Sequence, residues 1–188
     1  MAKKAQSTLV NMLLSLTVIA VVAAAALAFV SSVTSEPIEK AQREKKEAAV
    51  KAVLPAFEKL EEAMIDGAAC TRAYDGEGNL VGMAVEASSE KGFGGHLGAI
   101  VGFDKDGNIS GYRILETAET PGLGAKAGDW FQKGNKGDVI GKSAAEGLKV
   151  TKDGGDVDAI TGSTITSRAF CELMNNAYEI FKKGEQEQ

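Results

Sequence analysis

The feature that most constrains this chain is a run without a charge, Leu9 to Val30 (LVNMLLSLTVIAVVAAAALAFV). As an α-helix at ~1.5 Å per residue it extends ~33 Å, enough for the ~30 Å hydrocarbon core of a bilayer. Asn11, Ser15 and Thr17 interrupt the apolar character mildly, with groups that a helix satisfies through its own backbone. Ala26-Leu27-Ala28 has the small-x-small form of a signal-peptidase site, but the run is longer than the ~7–15 apolar residues of a secretory signal. The sequence therefore predicts a cytoplasmic N-terminus over 1–8 and a transmembrane helix over 9–30. Lys3 and Lys4 precede the run. Lys40, Arg43, Lys45 and Lys46 follow it at a distance, mixed with Glu36, Glu39, Glu44 and Glu47. Positive charge close to a span favours the cytoplasm, so the rest of the chain is expected on the outer side of a bacterial membrane.

The remainder of the 188 residues has room for one domain. Ser35 as N-cap, with Glu36 and Pro37 in the first turn, predicts a charged helix toward Pro55, and a second helical stretch is read over 56–65. Residues 31–66 thus read as a helical stalk, and 67–188 as the domain. From Ala68 short apolar runs alternate with turn signals: Ala69–Tyr74, DGEGN, Leu80–Ala87, then Leu97–Phe103, DKDGN, Ile109–Glu116. Asp-Gly and Gly-Asn pairs between such runs predict two hairpins joined by the glycine-rich link GFGGHLG, in an antiparallel sheet of at least four strands. Pro121, Gly122 and Gly124 make a loop, followed by a helical turn near Asp129–Gln132. Val139-Ile140 and Leu148–Thr151 read as short edge strands. Phe170, Leu173, Met174, Ala177 and Phe181 recur at helical spacing and predict a final helix over 165–183. The fold class is α+β, an antiparallel sheet closed by a C-terminal helix.

Several chemistries are excluded. Net charge is −5 with no basic cluster, which argues against nucleic acid. His96 is the only histidine, so multi-histidine metal sites and Ser-His pairs have no support, and neither a metal site nor a catalytic residue is predicted. GDVIGKS has one residue too few between its glycines for a phosphate loop. DKDGN has its glycine too early for a calcium loop. Cys70 and Cys171 form no CxxC pair and read as buried thiols. Glu116 and Glu119 read as surface charge.

One stretch remains, DAITGSTITS, Asp158 to Ser167, with five hydroxyls immediately before a helix. One or two would cap the helix. Five, with Gly162 permitting close approach and Arg168 one turn in, suggest a phosphate at a helix start.

This stretch resembles the flavinylation motif of FMN-binding domains, an aspartate followed by Ser/Thr-Gly-Ala/Ser-Thr. ETPGLG, Glu119 to Gly124, is similar to a motif of the G subunit of the Rnf complex and of the C subunit of the sodium-pumping NADH:quinone reductase. The order of membrane helix, stalk, glycine link, ETPGLG and threonine motif agrees along nearly the whole chain, and its compact length favours the Rnf protein. The resemblance implies FMN joined through its phosphate to Thr164, placed there by a separate flavin transferase that uses FAD and Mg²⁺. It implies that Asp158 belongs to the stretch which that enzyme reads, and that Thr161, Gly162 and Ser163 line the phosphate. Leu123 and Gly124 are expected at the isoalloxazine ring, with polar contacts from Glu119, Thr120 and Lys126. Trp130 and Phe131 are expected to anchor the loop rather than to stack on the flavin. The implied function is electron transfer within an ion-translocating ferredoxin:NAD⁺ oxidoreductase of the bacterial cytoplasmic membrane, beside Rnf subunits A, B, C, D and E. The alternatives are the quinone-reductase C subunit and a non-redox membrane-anchored phosphate binder.

Overall fold

A computed structural model describes residues 8–186. The expectations for Lys3, Lys4 and the rest of the N-terminus lie outside them. By contacts the chain divides into two units, Met1–Glu44 and Lys45–Gln188.

The first helix, α1, runs from Leu9 to Val53. Its apolar part has a mean hydropathy of 2.7, is wholly exposed, and is long and apolar enough to cross a membrane. Ser15 and Thr17 donate to the carbonyls of Met12 and Leu13, so their hydroxyls need no outside partner. The predicted restart at Ser35 does not occur. Pro37 lies inside the helix, and Ser35 Oγ donates back to the carbonyl of Ser32.

In the second unit five strands form one antiparallel meander: β1 Lys59–Ile65, β2 Ala68–Tyr74, β3 Leu80–Gly92, β4 Gly95–Asp104 and β5 Ile109–Thr117. The helical reading of 56–65, and with it the stalk over 31–66, is corrected. α1 ends just before Pro55, and β1 pairs with β2 from Lys59↔Tyr74 to Ile65↔Ala68. The cause is a two-residue turn in which Asp66 (φ 52°) and Gly67 (φ 80°) are both left-handed, the geometry that Asp-Gly favours between strands. The sheet thus begins before residue 67. Of the expected edge strands, the one over 139–140 does not form, and the one over 148–151 is reduced to an isolated parallel bridge, Val150↔Val157.

The sheet is covered on both faces. On one lies α3, Thr164–Gln186, whose Phe170, Leu173, Met174, Ala177 and Phe181 pack with Met83, Val85, Leu97, Val101 and Phe103. Phe170 is stacked on Phe131 at 4.0 Å between centroids and meets Tyr112 edge-on at 4.9 Å. On the other face Ala49 and Val53 of α1 pack with Ala84, Ile100 and Leu115.

Two cross-strand partners, Gly102 and Gly111, let the end of α1 approach the sheet. A Cβ on Gly102 would lie 2.2 Å from the Val53 carbonyl oxygen, and one on Gly111 would lie 3.0 Å from Val53 Cα. Ser110 Oγ donates to that same carbonyl, one of the C-terminal acceptors a helix cannot satisfy itself. Gly102→Val should therefore lift the helix end and cost about 3 kcal/mol, the upper range for overpacking, measured by urea unfolding of the detergent-solubilised protein.

Candidate functional site

Two glycine turns face each other at the start of α3. In the first, Ser163 N donates to the carbonyl of Ile160 at 3.0 Å across Thr161-Gly162, with Gly162 at φ 79°. In the second, Leu123 N donates to the carbonyl of Thr120 at 3.2 Å across Pro121-Gly122, with Gly122 at φ 78°. Proline followed by a left-handed glycine is the pattern of a type II turn. The turns meet where Leu123 Cδ2 lies 3.9 Å from the Cβ position of Gly162. Leu123, against Gly162, and Ile165, next to Thr164 in the chain, remain 47% and 50% exposed.

The threonine turn is rigidly supported. Ser167 Oγ donates to the carbonyl of Ser163 and accepts from Ile160 N, both at 2.9 Å. Trp130 Nε1 donates to the carbonyl of Asp158 at 2.8 Å. Ser167→Ala should strand the buried Ile160 amide and cost about 1–3 kcal/mol, visible as a lower thermal midpoint.

Thr164, the first residue of α3, is half-buried. Lys152 Nζ donates to its Oγ1 at 3.1 Å. Arg168 does not turn to Thr164: its Nε and Nη2 each donate to Asp153 at 2.7 Å. The Arg168 guanidinium holds the Asp153 carboxyl below its ordinary range.

The ETPGLG loop is tied inward. Glu119 is buried, not a surface charge, whereas Glu116 is exposed. Glu119 Oε1 accepts from Phe93 N at 2.8 Å, which joins the loop to the β3–β4 turn. A Cβ on Gly124 would lie 2.4 Å from Glu119 Oε2 and 2.8 Å from Thr166 Oγ1. Thr166 is fully buried, and its hydroxyl has no hydrogen-bond partner among the described residues.

The structure thus brings together Thr164, Thr161, Gly162, Ser163, Leu123, Gly124 and Glu119. Asp158 is exposed, with its backbone held by Trp130. Thr120 contributes its carbonyl to the loop. Among the described residues, no hydrogen bond or ion pair joins the side chains of Thr120 or Lys126 to the threonine turn. Phe131 is buried in the core. Sequence reasoning missed Lys152 and Ile165. The charged KDGGD turn ahead of the motif hinted at the first. The second is an apolar residue off the buried stripe of α3.

A groove of about 340 Å³ runs along α3 between Arg168, Glu172, Asn175 and Lys91. Its walls carry charges and no aromatic ring, so the exposed Leu123 and Ile165 are the better match for a flat heterocycle. Cys171 lines this groove as a buried residue, and desolvation pushes its thiol up to about 12. Cys171 should therefore resist alkylation at pH 8 until the protein is denatured, as followed by mass spectrometry.

A helix start with free amides and exposed apolar side chains nearby has the chemistry to suit a phosphorylated heterocycle. Residues 92–179 match the family of FMN-binding domains. Over 112 residues it is 38% identical to the G subunit of the ion-translocating oxidoreductase complex of Shewanella baltica, a match that covers 57% of this chain and 52% of that protein. Over 111 residues it is 40% identical to the G subunit of the Na⁺-translocating ferredoxin:NAD⁺ oxidoreductase complex of Acetobacterium woodii, which covers 56% and 51%. The chain spans about half the length of these curated relatives. Its fold is similar to the crystal structure of Shewanella oneidensis NqrC, with TM-score 0.51 at 20% identity over 74% of each chain.

Proposed function

We propose that the chain is a membrane-anchored electron carrier whose FMN is joined through its phosphate to Thr164. The observation that carries this reading is the Lys152 ammonium on Thr164 Oγ1 at 3.1 Å, at a helix start whose turn lies against the exposed Leu123. A phosphate on Thr164 Oγ1 meets a cation and the first amides of α3, which have no acceptor within the helix. Leu123 and Ile165, both exposed, would offer apolar surface to the ring. The residues present therefore fit FMN. When bound, FMN supplies the capacity to take up and release electrons. The chain's own part is to tether, orient and neutralise.

The names of the relatives, together with α1, support a place in an Rnf-type ion-translocating ferredoxin:NAD⁺ oxidoreductase beside subunits A, B, C, D and E. In this reading α1 crosses the cytoplasmic membrane once. The flavin domain faces outward, where a separate transferase attaches FMN from FAD with Mg²⁺. A covalent bond there prevents loss of the cofactor to the medium.

The test is a strain lacking this chain, complemented with wild type or Thr164→Ala. Inverted membrane vesicles carrying wild type should reduce NAD⁺ with reduced ferredoxin, and the variant should not. Equal rates from the two would overturn the electron-carrier reading.

A further inference from the structure

We propose that Lys152 is the positioning cation for flavin attachment: it orients the Thr164 hydroxyl and neutralises the phosphodiester that replaces it. This rests on the covalent reading above. Lys152 lies in the 3-10 turn Thr151–Asp153. That turn is fixed on both sides of the lysine. Before it, Val150 is fully buried and bridges Val157. After it, Asp153 is held by two bonds from Arg168, one helical turn beyond Thr164. Gly154, at φ 81°, closes the turn. The Arg168–Asp153 pair thus secures the segment that places Lys152 Nζ on Thr164 Oγ1. The same pair occupies the guanidinium that would otherwise be the natural phosphate ligand. Lys152 is the cation that contacts the acceptor oxygen among the described residues.

The chemistry assigns the lysine a definite part. Thr164 Oγ1 bonds to the flavin-side phosphorus of FAD, the phosphoanhydride P–O bond breaks, and AMP leaves. The hydroxyl proton passes to a general base of the transferase, and no electrons change hands. An ammonium has no lone pair, so Lys152 is not that base. It donates to one lone pair of Oγ1, which leaves the other for the phosphorus, and it stabilises negative charge as the proton leaves. In the product the same ammonium faces a phosphodiester monoanion.

The experiment uses the full chain in detergent with flavin transferase, FAD and Mg²⁺. The initial rate of flavin incorporation is read as fluorescence on denaturing gels, and circular dichroism checks the fold. Lys152→Gln should slow incorporation about tenfold, the scale of one charge-assisted hydrogen bond. Lys152→Arg, which keeps the charge and the donors, should restore the rate to within about threefold. Incorporation by Lys152→Gln at the wild-type rate overturns the proposal, as does an Arg variant as slow as the Gln variant. A dark wild-type band overturns the covalent reading itself, and the proposal with it.

Discussion

Thr164→Ala is expected to abolish covalent flavin while leaving the fold intact. The side chain is half-buried at the first position of α3, and its one described side-chain bond is to the exposed Lys152, so truncation opens no core cavity. The turn beneath it stays locked by Ser167, which bonds both Ile160 and Ser163. Loss of the oxygen removes the atom that would bond to phosphorus, so the expected effect is complete rather than partial. After co-expression with a transferase, wild type should show a fluorescent band on a denaturing gel. The variant should be dark, with an unchanged circular dichroism spectrum. Ser163 does not substitute in this account, because it is buried beneath the turn whereas Thr164 reaches the surface.

Phe170→Ala should have the largest effect on stability. Phe170 is fully buried, stacked on Phe131 and edge-on to Tyr112, where α3, the segment after α2 (Ala127–Trp130) and β5 converge. Tyr112 in turn donates to the Ala127 carbonyl at 2.6 Å, so the cluster also seats the segment after ETPGLG. Removing the ring costs about 3–5 kcal/mol in transfer and cavity terms. The thermal midpoint should fall on the order of 10 °C. Because Phe131, on which Phe170 stacks, follows Trp130, whose indole holds the Asp158 carbonyl, flavin incorporation should weaken in parallel with stability, in contrast to the clean loss in Thr164→Ala.

The elements most legible in the sequence are those with repeated local signals. The hairpins β2–β3 and β4–β5 announce themselves through DGEGN and DKDGN, in which Asp75 and Asp104 accept backbone amides two and four residues on. The stripe of α3 is equally plain, since its recurring apolar residues share one face. Strand β1 was concealed because Lys59–Ile65 is an edge strand with a largely exposed burial pattern, and its alternation is too weak to compete with helix-forming Lys, Leu, Glu and Ala. Its partner signal, Asp66-Gly67, is decisive only when both flanks are read as strands.

At the site, Thr164 and its loop are visible as a motif because backbone and hydroxyl chemistry is local. Lys152 is twelve residues upstream and reaches Thr164 only through the fold, through the Val150–Val157 bridge and the Arg168–Asp153 pair. The burial of Glu119 was hidden for the same reason. Its partner, the Phe93 amide, lies on the β3–β4 turn, and the space it occupies exists because Gly124 has no side chain. Local chemistry reads from sequence, whereas charge pairing across loops requires the structure.

The central claim is a phosphodiester between FMN and one defined oxygen, and peptide mapping tests it most directly. The full chain is co-expressed with a flavin transferase, digested with trypsin and fragmented in the mass spectrometer. Cleavage after Lys152 and Arg168 releases the peptide Asp153–Arg168. The account predicts that this peptide gains the mass of one FMN less one water, with the adduct on Thr164. An unmodified peptide, or an adduct on Ser163, Thr161 or any residue outside it, would contradict the account.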